Sequence, residues 1–304
     1  MLKYFLFFFF VLYPFSLADD FRGKVALVTG GSSGIGYATS LLLAQKGAHV
    51  IFCARDSHPT WYNGSTAESQ INSDSIVKIT GGSARFFQAD VRKIDQVRAF
   101  VNFAHQLYGH IDYAVNNAGV GGYNARLVDL KDEYILNDHD AILTNLYGVL
   151  ISIREEAKYW YQHGNPNQTY SIIVIASEAG KVGFPNSSTY SASKWGVIGL
   201  VKSVALEFIT TKPKIRINAI CPGFVDTSLV RNQVKNYFGQ QYWEGDYVDE
   251  NSPLWPTFKA GLESSMPGKR MAQPEELANT IVGALDNANS FLNGAAISVD
   301  DGGA

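Results

Sequence analysis

Short β-rich runs alternate with longer helical runs along the chain from Arg22 onward. The runs that predict strands are Lys24–Thr29, His49–Cys53, Ala84–Gln88, Tyr113–Asn116, Ile172–Ala176, Arg216–Ile220 and Ala295–Val299. The runs that predict the main helices are Gly34–Lys46, Ile94–Tyr108, Ala141–Trp160 and Thr189–Thr210. Strands separated by helices favour a parallel sheet covered on both faces. We therefore predict an α/β fold: a single doubly wound domain, residues 20–304, with a seven-stranded, mostly parallel sheet and helices on both faces.

The overall composition fits one large globular domain. The chain has 304 residues, of which 46% are hydrophobic, and a formal net charge of −3, so nothing in its charge indicates a nucleic-acid partner. Its two cysteines, Cys53 and Cys221, lie in apolar runs, which favours buried, unpaired thiols. Strands two and six of a doubly wound sheet lie on opposite sides of strand one, so we expect these thiols to be too far apart to bridge.

The first eighteen residues differ from the rest. Lys3 precedes an apolar run from Tyr4 to Tyr13, and small residues Ser16 and Ala18 precede two acids. This pattern is typical of a secretory signal peptide over residues 1–18. The unbroken apolar run is shorter than the roughly 20 residues that span a bilayer. An uncleaved hydrophobic anchor, a buried N-terminal helix and a wrongly assigned start codon are the alternatives.

A glycine-rich turn joins the first strand to the first helix. It reads Thr29-Gly30-Gly31-Ser32-Ser33-Gly34-Ile35-Gly36. Glycines at such a turn let the backbone approach a pyrophosphate, which then binds at the N-terminus of the following helix. The turn therefore predicts dinucleotide binding. The alternative is a tight turn with no ligand.

Tyr190 and Lys194 lie four residues apart, and so on one face of the last main helix. A phenol has a pKa of about 10 and is a poor acid or base at neutral pH. A neighbouring ammonium stabilises the phenolate and moves that pKa toward the working range. The pair predicts acid–base chemistry, although such a pair also occurs by chance on surface helices.

Together with further motifs, these residues resemble the short-chain dehydrogenase/reductase family. Asn116-Asn117-Ala118-Gly119 ends the fourth strand, Ser177 lies thirteen residues before Tyr190, and Asn145 lies in the long helix. Pro222-Gly223-Phe224-Val225-Asp226-Thr227 follows the sixth strand. The resemblance runs from about Arg22 to Gly303, and it implies a Rossmann-type domain.

The resemblance implies an NAD(P)-dependent oxidoreductase that interconverts a carbonyl and a secondary alcohol by hydride transfer. Tyr190 would exchange the proton, and Lys194 would lower the tyrosine pKa and hold the nicotinamide ribose. Ser177 would hydrogen-bond the reacting oxygen, and Asn145 would hold a water linked to Lys194. Ser177 as a turn residue and Asn145 as a helix cap or kink are the alternatives for those two. A small-molecule carbonyl or alcohol substrate, a homo-oligomer and no metal site are also implied.

Two further classes of function stay open: a non-catalytic NADP(H)-binding scaffold or sensor, and an interaction protein. Non-catalytic members usually lose a catalytic position, whereas this chain has all four: Asn145, Ser177, Tyr190 and Lys194. The sequence therefore favours an enzyme.

Cofactor choice depends on the end of the second strand. Ala54 stands where NAD-dependent enzymes place an acid, and Arg55 follows, which favours NADP(H) over NAD(H). Asp56 at the ribose is the alternative. The cofactor contacts implied by the resemblance are Gly30, Ser32, Ser33, Gly34, Ile35, Gly36, Arg55, Asp90, Val91, Asn117, Ala118, Gly119, Tyr190, Lys194, Pro222, Gly223, Val225 and Thr227.

Two stretches are longer than a minimal member of the family. One is a polar insert around Trp61–Ser75, and the other is the substrate-lid region, at about residues 228–266. The lid region carries the aromatic residues Tyr237, Phe238, Tyr242, Trp243, Tyr247, Trp255 and Phe258. These rings fit either a lid over an apolar substrate or packing on the protein's own core or a partner subunit.

The expected location in the cell follows from the N-terminal segment and the expected cofactor together. An NADP-dependent enzyme with a signal-like start is best reconciled with the endoplasmic reticulum, in its lumen or associated with its membrane through the N-terminus. The cytoplasm is the alternative.

Overall fold

The computed structural model describes residues 21–56, 65–132, 140–231 and 255–303. One seven-stranded sheet runs through the described chain, and its strand order is β3-β2-β1-β4-β5-β6-β7. The strands are β1 (Val25–Thr29), β2 (His49–Ala54), β3 (Ser83–Gln88), β4 (Tyr113–Asn116), β5 (Thr169–Ile175), β6 (Lys214–Pro222) and β7 (Ala296–Val299). Every neighbouring pair is parallel. The predicted doubly wound fold is confirmed, with a fully rather than mostly parallel sheet.

Helices cover both faces of this sheet. They are α1 (Gly34–Gln45), α2 (Ala67–Ser73), α3 (Ser75–Thr80), α4 (Ile94–Tyr108), α5 (Gly148–His163), α6 (Ser188–Phe208), α7 (Trp255–Ser265) and α8 (Pro274–Leu285). The predicted long helix begins differently from expectation, because Ile142–Tyr147 forms a π-helical turn before α5. π-Helical turns are rare and are frequent at functional sites.

Two short helices lie in and directly after the polar insert, and the sequence analysis did not identify them. The Thr66 side chain accepts a hydrogen bond from the Ser69 backbone amide at the start of α2, and Asp74 accepts from the amides of Ile76 and Val77 at the start of α3. Ile71 and Val77 are buried beneath these helices. Side-chain caps therefore define where both short helices begin.

The core has one layer on each side of the sheet. Apolar residues of α4, α5 and α6 pack on one face, and those of α1 and α8 pack on the other. Strands buried on both faces read as continuous apolar runs, as β1 does. This explains why the strands were visible in the sequence.

The strand order reverses between β1 and β4. The chain runs from β1 outward to β3, then crosses back to β4 and continues to β7. Ligands of open α/β sheets bind in the crevice at the carboxyl ends of the strands, at such a reversal. The fold thus places the ends of β1 and β4 at the expected binding crevice.

The cysteine prediction is confirmed. Cys53 and Cys221 are buried free thiols, and β1, β4 and β5 lie between their strands. With about 4.8 Å between neighbouring strands, the two thiols are well beyond bridging distance.

The lid aromatics fall partly outside the described residues, where Tyr237, Phe238, Tyr242, Trp243 and Tyr247 lie. Trp255 and Phe258 of α7 pack with Val230, Met266 and Met271 in a small separate cluster. Among the described residues these two rings thus pack on the protein itself, and the lid interpretation stays a prediction.

The N-terminal segment, residues 1–18, also lies outside the described residues, so the signal or anchor interpretation stays a prediction. Within the described ranges, no helix has the length and apolar character needed to cross a bilayer.

Candidate active site

A cavity of about 640 Å³ opens at the carboxyl ends of the central strands. Its walls come from the glycine turn after β1, the segment after β4, the end of β5, the start of α6 and the segment after β6. The cavity therefore occupies the crevice that the strand order defines.

The glycine turn is packed so closely that side chains do not fit. Gly30 has a φ of +67°, and a Cβ atom there would lie 2.9 Å from the Ala118 Cα. A Cβ atom on Gly36 would collide with the carbonyl oxygen of Gly30. These glycines bring the start of α1 against the end of β4, which explains the spacing seen in the sequence.

The first turn of α1 presents backbone amides without a side-chain cap. Ser33 stands at the N-cap position but makes no side-chain capping hydrogen bond, and the first turn holds no acidic residue. The amides and the positive end of the helix dipole are therefore available to an anion. This arrangement fits a cofactor pyrophosphate.

Thr29 and Asn117 join the glycine turn to the end of β4. The Thr29 hydroxyl accepts hydrogen bonds from the backbone amides of Asn117, at 3.0 Å, and Ala118, at 3.1 Å. The Asn117 amide group donates to the carbonyls of Thr29, at 3.2 Å, and Gly30, at 3.1 Å. Two walls of the cavity are thus held in a fixed relation.

Ser177 and Tyr190 lie together in the lining of the cavity. Ser177 follows β5, and its hydroxyl accepts a hydrogen bond from the Ala179 amide at 3.2 Å. Burial raises the pKa of Tyr190 above its usual value, while a hydrogen bond with the Ser177 side chain lowers it and the charge of Glu178 raises it. Ser177 and Tyr190 therefore interact directly, while the expected role of Ser177 toward the reacting oxygen stays a prediction.

Lys194 lies beneath Tyr190. It is 5% exposed, its Nζ donates to the Ile175 carbonyl at 2.9 Å, and it lies 5.5 Å from the centre of the Tyr190 ring. Burial lowers the pKa of Lys194 to about 8. The net shift of the Tyr190 pKa is upward, opposite to the direction expected from Lys194 alone, because burial outweighs the stabilising contacts.

Asn145 is fully buried in the π-helical turn and does not line the cavity. Its side chain accepts from the Val120 amide at 2.8 Å and donates to the Val120 carbonyl at 2.9 Å. It also donates to the Ser193 hydroxyl at 3.2 Å. In the structure the Asn145 side chain thus positions the loop after β4, and its expected role toward a water stays a prediction.

Most of the predicted cofactor residues line the cavity. They are Gly30, Ser32, Ser33, Gly34, Ile35, Arg55, Asn117, Ala118, Gly119, Tyr190, Lys194, Pro222, Gly223, Val225 and Thr227. The predicted residues outside its lining are Gly36, Asp90 and Val91. Asp90 pairs instead with Arg92 at 2.6 Å, and its pKa is lowered, chiefly by the hydrogen bond from Arg92. Val91 packs in a small apolar cluster with Val97 and Ile151.

Arg55 is an exposed residue of the cavity lining. Its side chain is 47% exposed and its Nε lies 3.5 Å from an Asp56 carboxylate oxygen. Arg55 lines the cavity, whereas Asp56 does not.

Sequence reasoning missed two residues of this site. Glu178 directly follows Ser177 and lines the cavity. Ser193, inside the tyrosine–lysine motif, donates to the Tyr190 carbonyl at 2.6 Å and is fully buried. The proximity of Glu178 to Ser177 in the sequence was a usable signal, whereas the contacts of Ser193 depend on the packing of α6 against the π-helical turn.

Comparisons with known proteins identify the family. Residues 24–237 match the short chain dehydrogenase family model. The chain is 34% identical to the 3-oxoacyl-(acyl-carrier-protein) reductase FabG of Thermotoga maritima, over 92% of this chain and 98% of that protein. It is 31% identical to a 3beta-hydroxysteroid dehydrogenase of Mediterraneibacter gnavus, over 93% of this chain and 95% of that protein.

A solved structure agrees with these relatives. Actinorhodin polyketide ketoreductase with NADPH superposes with a TM-score of 0.73 at 30% identity, over 94% of this chain and 99% of that one. The chain therefore belongs to the short-chain dehydrogenase/reductase family. It is an oxidoreductase that interconverts carbonyl and alcohol groups with a nicotinamide cofactor. The non-catalytic scaffold receives no support from these relatives.

Proposed function

We propose that the protein is an NADP(H)-preferring carbonyl reductase or alcohol dehydrogenase in which Tyr190 is the general acid and base. The observation that carries this proposal is the convergence of Ser177, Tyr190 and Lys194 in the lining of one cavity. The glycine turn lines the same cavity, so one space offers sites for both a dinucleotide and a reacting carbonyl.

Each residue has a role that its position supports. Tyr190 transfers a proton to the substrate oxygen during reduction and removes it during oxidation. Ser177 donates a hydrogen bond to that oxygen, where negative charge develops. Lys194 binds the nicotinamide ribose and stabilises the phenolate of Tyr190. When bound, the nicotinamide cofactor supplies or accepts the hydride.

The other contacts hold the cofactor. The amides at the start of α1 bind the pyrophosphate, and the Pro222–Thr227 segment binds the nicotinamide end. Arg55 binds a 2′-phosphate with its guanidinium group. Arg55 lines the cavity and Asp56 does not, which supports NADP(H) over NAD(H).

The substrate that we propose is apolar near its carbonyl. Phe184 and Phe224 line the cavity near Tyr190 and stack edge to face with ring centres 6.4 Å apart. A wall of aromatic rings favours a flat hydrocarbon frame over a charged chain. The hydroxysteroid dehydrogenase among the relatives is consistent with such a substrate.

The deciding experiment follows the transferred hydride. The purified protein is incubated with NADPH deuterated at nicotinamide C4 and with a panel of cyclic and steroidal ketones. The proposal predicts alcohols that carry deuterium on the carbinol carbon, formed faster with NADPH than with NADH. Binding of NADPH without reduction of any ketone would instead support the non-catalytic scaffold.

The location and assembly proposals rest on the sequence and the family resemblance. Residues 1–18 direct or anchor the protein at the endoplasmic reticulum, and the catalytic domain forms a homo-oligomer. Sequencing the mature N-terminus and fractionating cells tests the first statement. An intact Met1 on protein found in the cytosol contradicts it. Sedimentation of the purified protein tests the second statement.

A further inference from the structure

Glu178 is an acidic residue inside the cavity that the proposed mechanism does not use. It is the first residue of the 3₁₀ turn Glu178–Gly180, directly after Ser177, and it is 8% exposed. A Cβ atom on Gly223 would lie 3.5 Å from the Glu178 Oε2, and one on Gly303 would lie 3.0 Å from it. The carboxyl group therefore lies between the segment proposed to hold the nicotinamide and the C-terminal tail.

The carboxyl group of Glu178 lacks a neutralising cation among the residues that the structure describes. Glu178 forms no ion pair with any residue that the structure describes. Lys194 of α6 donates to the Ile175 carbonyl, and Lys181 donates to the Ser298 hydroxyl at 2.5 Å. A negative charge on Glu178 therefore acts on groups bound in the cavity, because no ion pair within the described chain offsets it.

A second acid faces Glu178 from the end of β7. Asp300 is 8% exposed, and its Oδ1 accepts from the Gly302 amide at 3.2 Å. Its Oδ2 is buried and has no hydrogen-bond partner among the described residues. A Cβ atom on Gly223 would lie 3.2 Å from the Asp300 Cβ, so both acids lie against the same glycine.

This placement matters because the two redox forms of a nicotinamide differ in charge. The oxidised ring carries a positive charge, whereas the reduced ring is neutral. A carboxylate beside the ring stabilises the first form and not the second. We propose that Glu178 gives the enzyme a preference for the oxidised cofactor over the reduced one, beyond the contacts that both forms share. This inference rests on the proposed cofactor site.

The preference depends on pH. Burial and the charge of Asp300 raise the pKa of Glu178 to about 7, so the carboxylate is lost as the pH falls below that value. Among the described residues, Tyr190 of α6 also interacts electrostatically with Glu178. Lys194 of α6 lines the same cavity, and Cys221 of β6 interacts with Asp300 and Lys194. The pKa values of Tyr190 and Cys221 are raised, so these groups stay neutral. Lys194, with a pKa of about 8, loses its positive charge as the pH rises. This loss also increases the preference for the oxidised cofactor.

Because Lys194 contributes a similar pH dependence, a comparison at one pH isolates Glu178. The dissociation constants of oxidised and reduced NADP are measured by calorimetry at pH 8 for the wild type and Glu178→Gln. Glu275→Gln is the matched control, because it removes an equal charge from the exposed first turn of α8. An adenosine 2′,5′-bisphosphate probe reports the distant half of the site.

The expected result is selective. Glu178→Gln weakens the binding of oxidised NADP by about tenfold. It leaves the affinities for reduced NADP and for the bisphosphate nearly unchanged. Glu275→Gln changes none of the three. At pH 6 the wild type and Glu178→Gln have similar ratios of the two affinities.

If Glu178→Gln weakens the binding of both cofactor forms equally, or leaves the ratio of their affinities unchanged, the inference is overturned while the proposed function stands. Failure of wild-type protein to bind either form overturns both. If Glu178→Gln does not fold, Asp300→Asn decides. The ratio of affinities for oxidised and reduced NADP changes with pH around a midpoint. Because Asp300→Asn removes a neighbouring negative charge, its midpoint must lie at a lower pH than that of the wild type. An unchanged midpoint contradicts the role of Glu178.

Discussion

The Nζ of Lys194 donates a hydrogen bond to the backbone carbonyl of Ile175 at 2.9 Å. Ile175 is the last residue of β5, and Lys194 lies in the second turn of α6. The bond therefore ties the helix that carries Tyr190 to the strand that leads into Ser177. It holds the ammonium group 5.5 Å from the centre of the tyrosine ring.

Replacement of Lys194 should impair two properties at once. Lys194→Met is expected to lower kcat by at least about 100-fold and to weaken cofactor binding, because one ammonium serves both the tyrosine and the ribose. Steady-state kinetics and calorimetry measure the two effects. Lys202→Met, at an exposed position of the same helix, is the control. A loss of kcat with unchanged cofactor affinity contradicts the ribose contact.

Arg55 should distinguish the two cofactors. Arg55→Ala is expected to raise KM for NADPH by about tenfold or more, with a small effect on KM for NADH, because only the former carries a 2′-phosphate. Arg85→Ala removes an exposed arginine of β3 and is the control. Equal effects on both cofactors would assign the ribose contact to Asp56 and favour NAD(H).

The sequence predicted the fold well because the five inner strands of the sheet are largely buried. Parallel strands covered by helices are continuously apolar, and all seven were found within a few residues of their observed ends. Helices α2 and α3 were missed because each is short and begins at a polar capping side chain, and the longer helices α7 and α8 were not predicted either. The π-helical turn before α5 was missed because hydrophobic periodicity does not distinguish it from an α-helix.

The sequence predicted those residues of the site that belong to motifs with a recognisable spacing. Ser177, Tyr190 and Lys194 come together in the cavity as the spacing indicated. Asn145 was placed in the correct helix, but the direction of its side chain depends on the loop at Val120, which no local pattern specifies. The charge of Asp300 helps to raise the pKa of Glu178. Asp300 is distant from Glu178 in the sequence, so the sequence alone does not reveal this interaction.

Glu156 should make the protein's stability depend on pH. It is buried in α5, and burial raises its pKa to about 8, although a hydrogen bond from Asn116 partly opposes the shift. A raised folded-state pKa means that the full stabilisation is present below the unfolded pKa, near 4.5, and is lost as the pH rises through 8. Glu156→Gln cannot ionise and should lose less stability between pH 6 and pH 9.

Urea unfolding at pH 6 and pH 9 measures this effect for the wild type and Glu156→Gln. The difference in unfolding free energy should be on the order of a few kcal/mol. Glu207→Gln, at an exposed position of α6, should follow the wild type. Parallel behaviour of wild type and Glu156→Gln would show that Glu156 is not the titrating group.

Arg216 should be a major stabilising residue. Its guanidinium is 1% exposed and donates to the carbonyls of Leu285 and Asp286, at 3.0 and 3.1 Å, at the end of α8. It also donates to the Leu292 carbonyl at 3.1 Å. Arg216→Met leaves these carbonyls unsatisfied and should cost at least about 3 kcal/mol. Chemical denaturation measures the loss, and a change below 1 kcal/mol would contradict this role.

The most direct test of the central claim is the single-turnover rate of Tyr190→Phe with saturating NADPH and a reducible ketone. Because the variant lacks the phenolic proton and keeps the ring, its rate should fall by about 10²- to 10⁴-fold while its NADPH dissociation constant stays unchanged. Tyr161→Phe, at a half-exposed tyrosine on α5, should retain full activity. A Tyr190→Phe enzyme that keeps a tenth or more of the wild-type rate would contradict the assignment of Tyr190 as the proton donor.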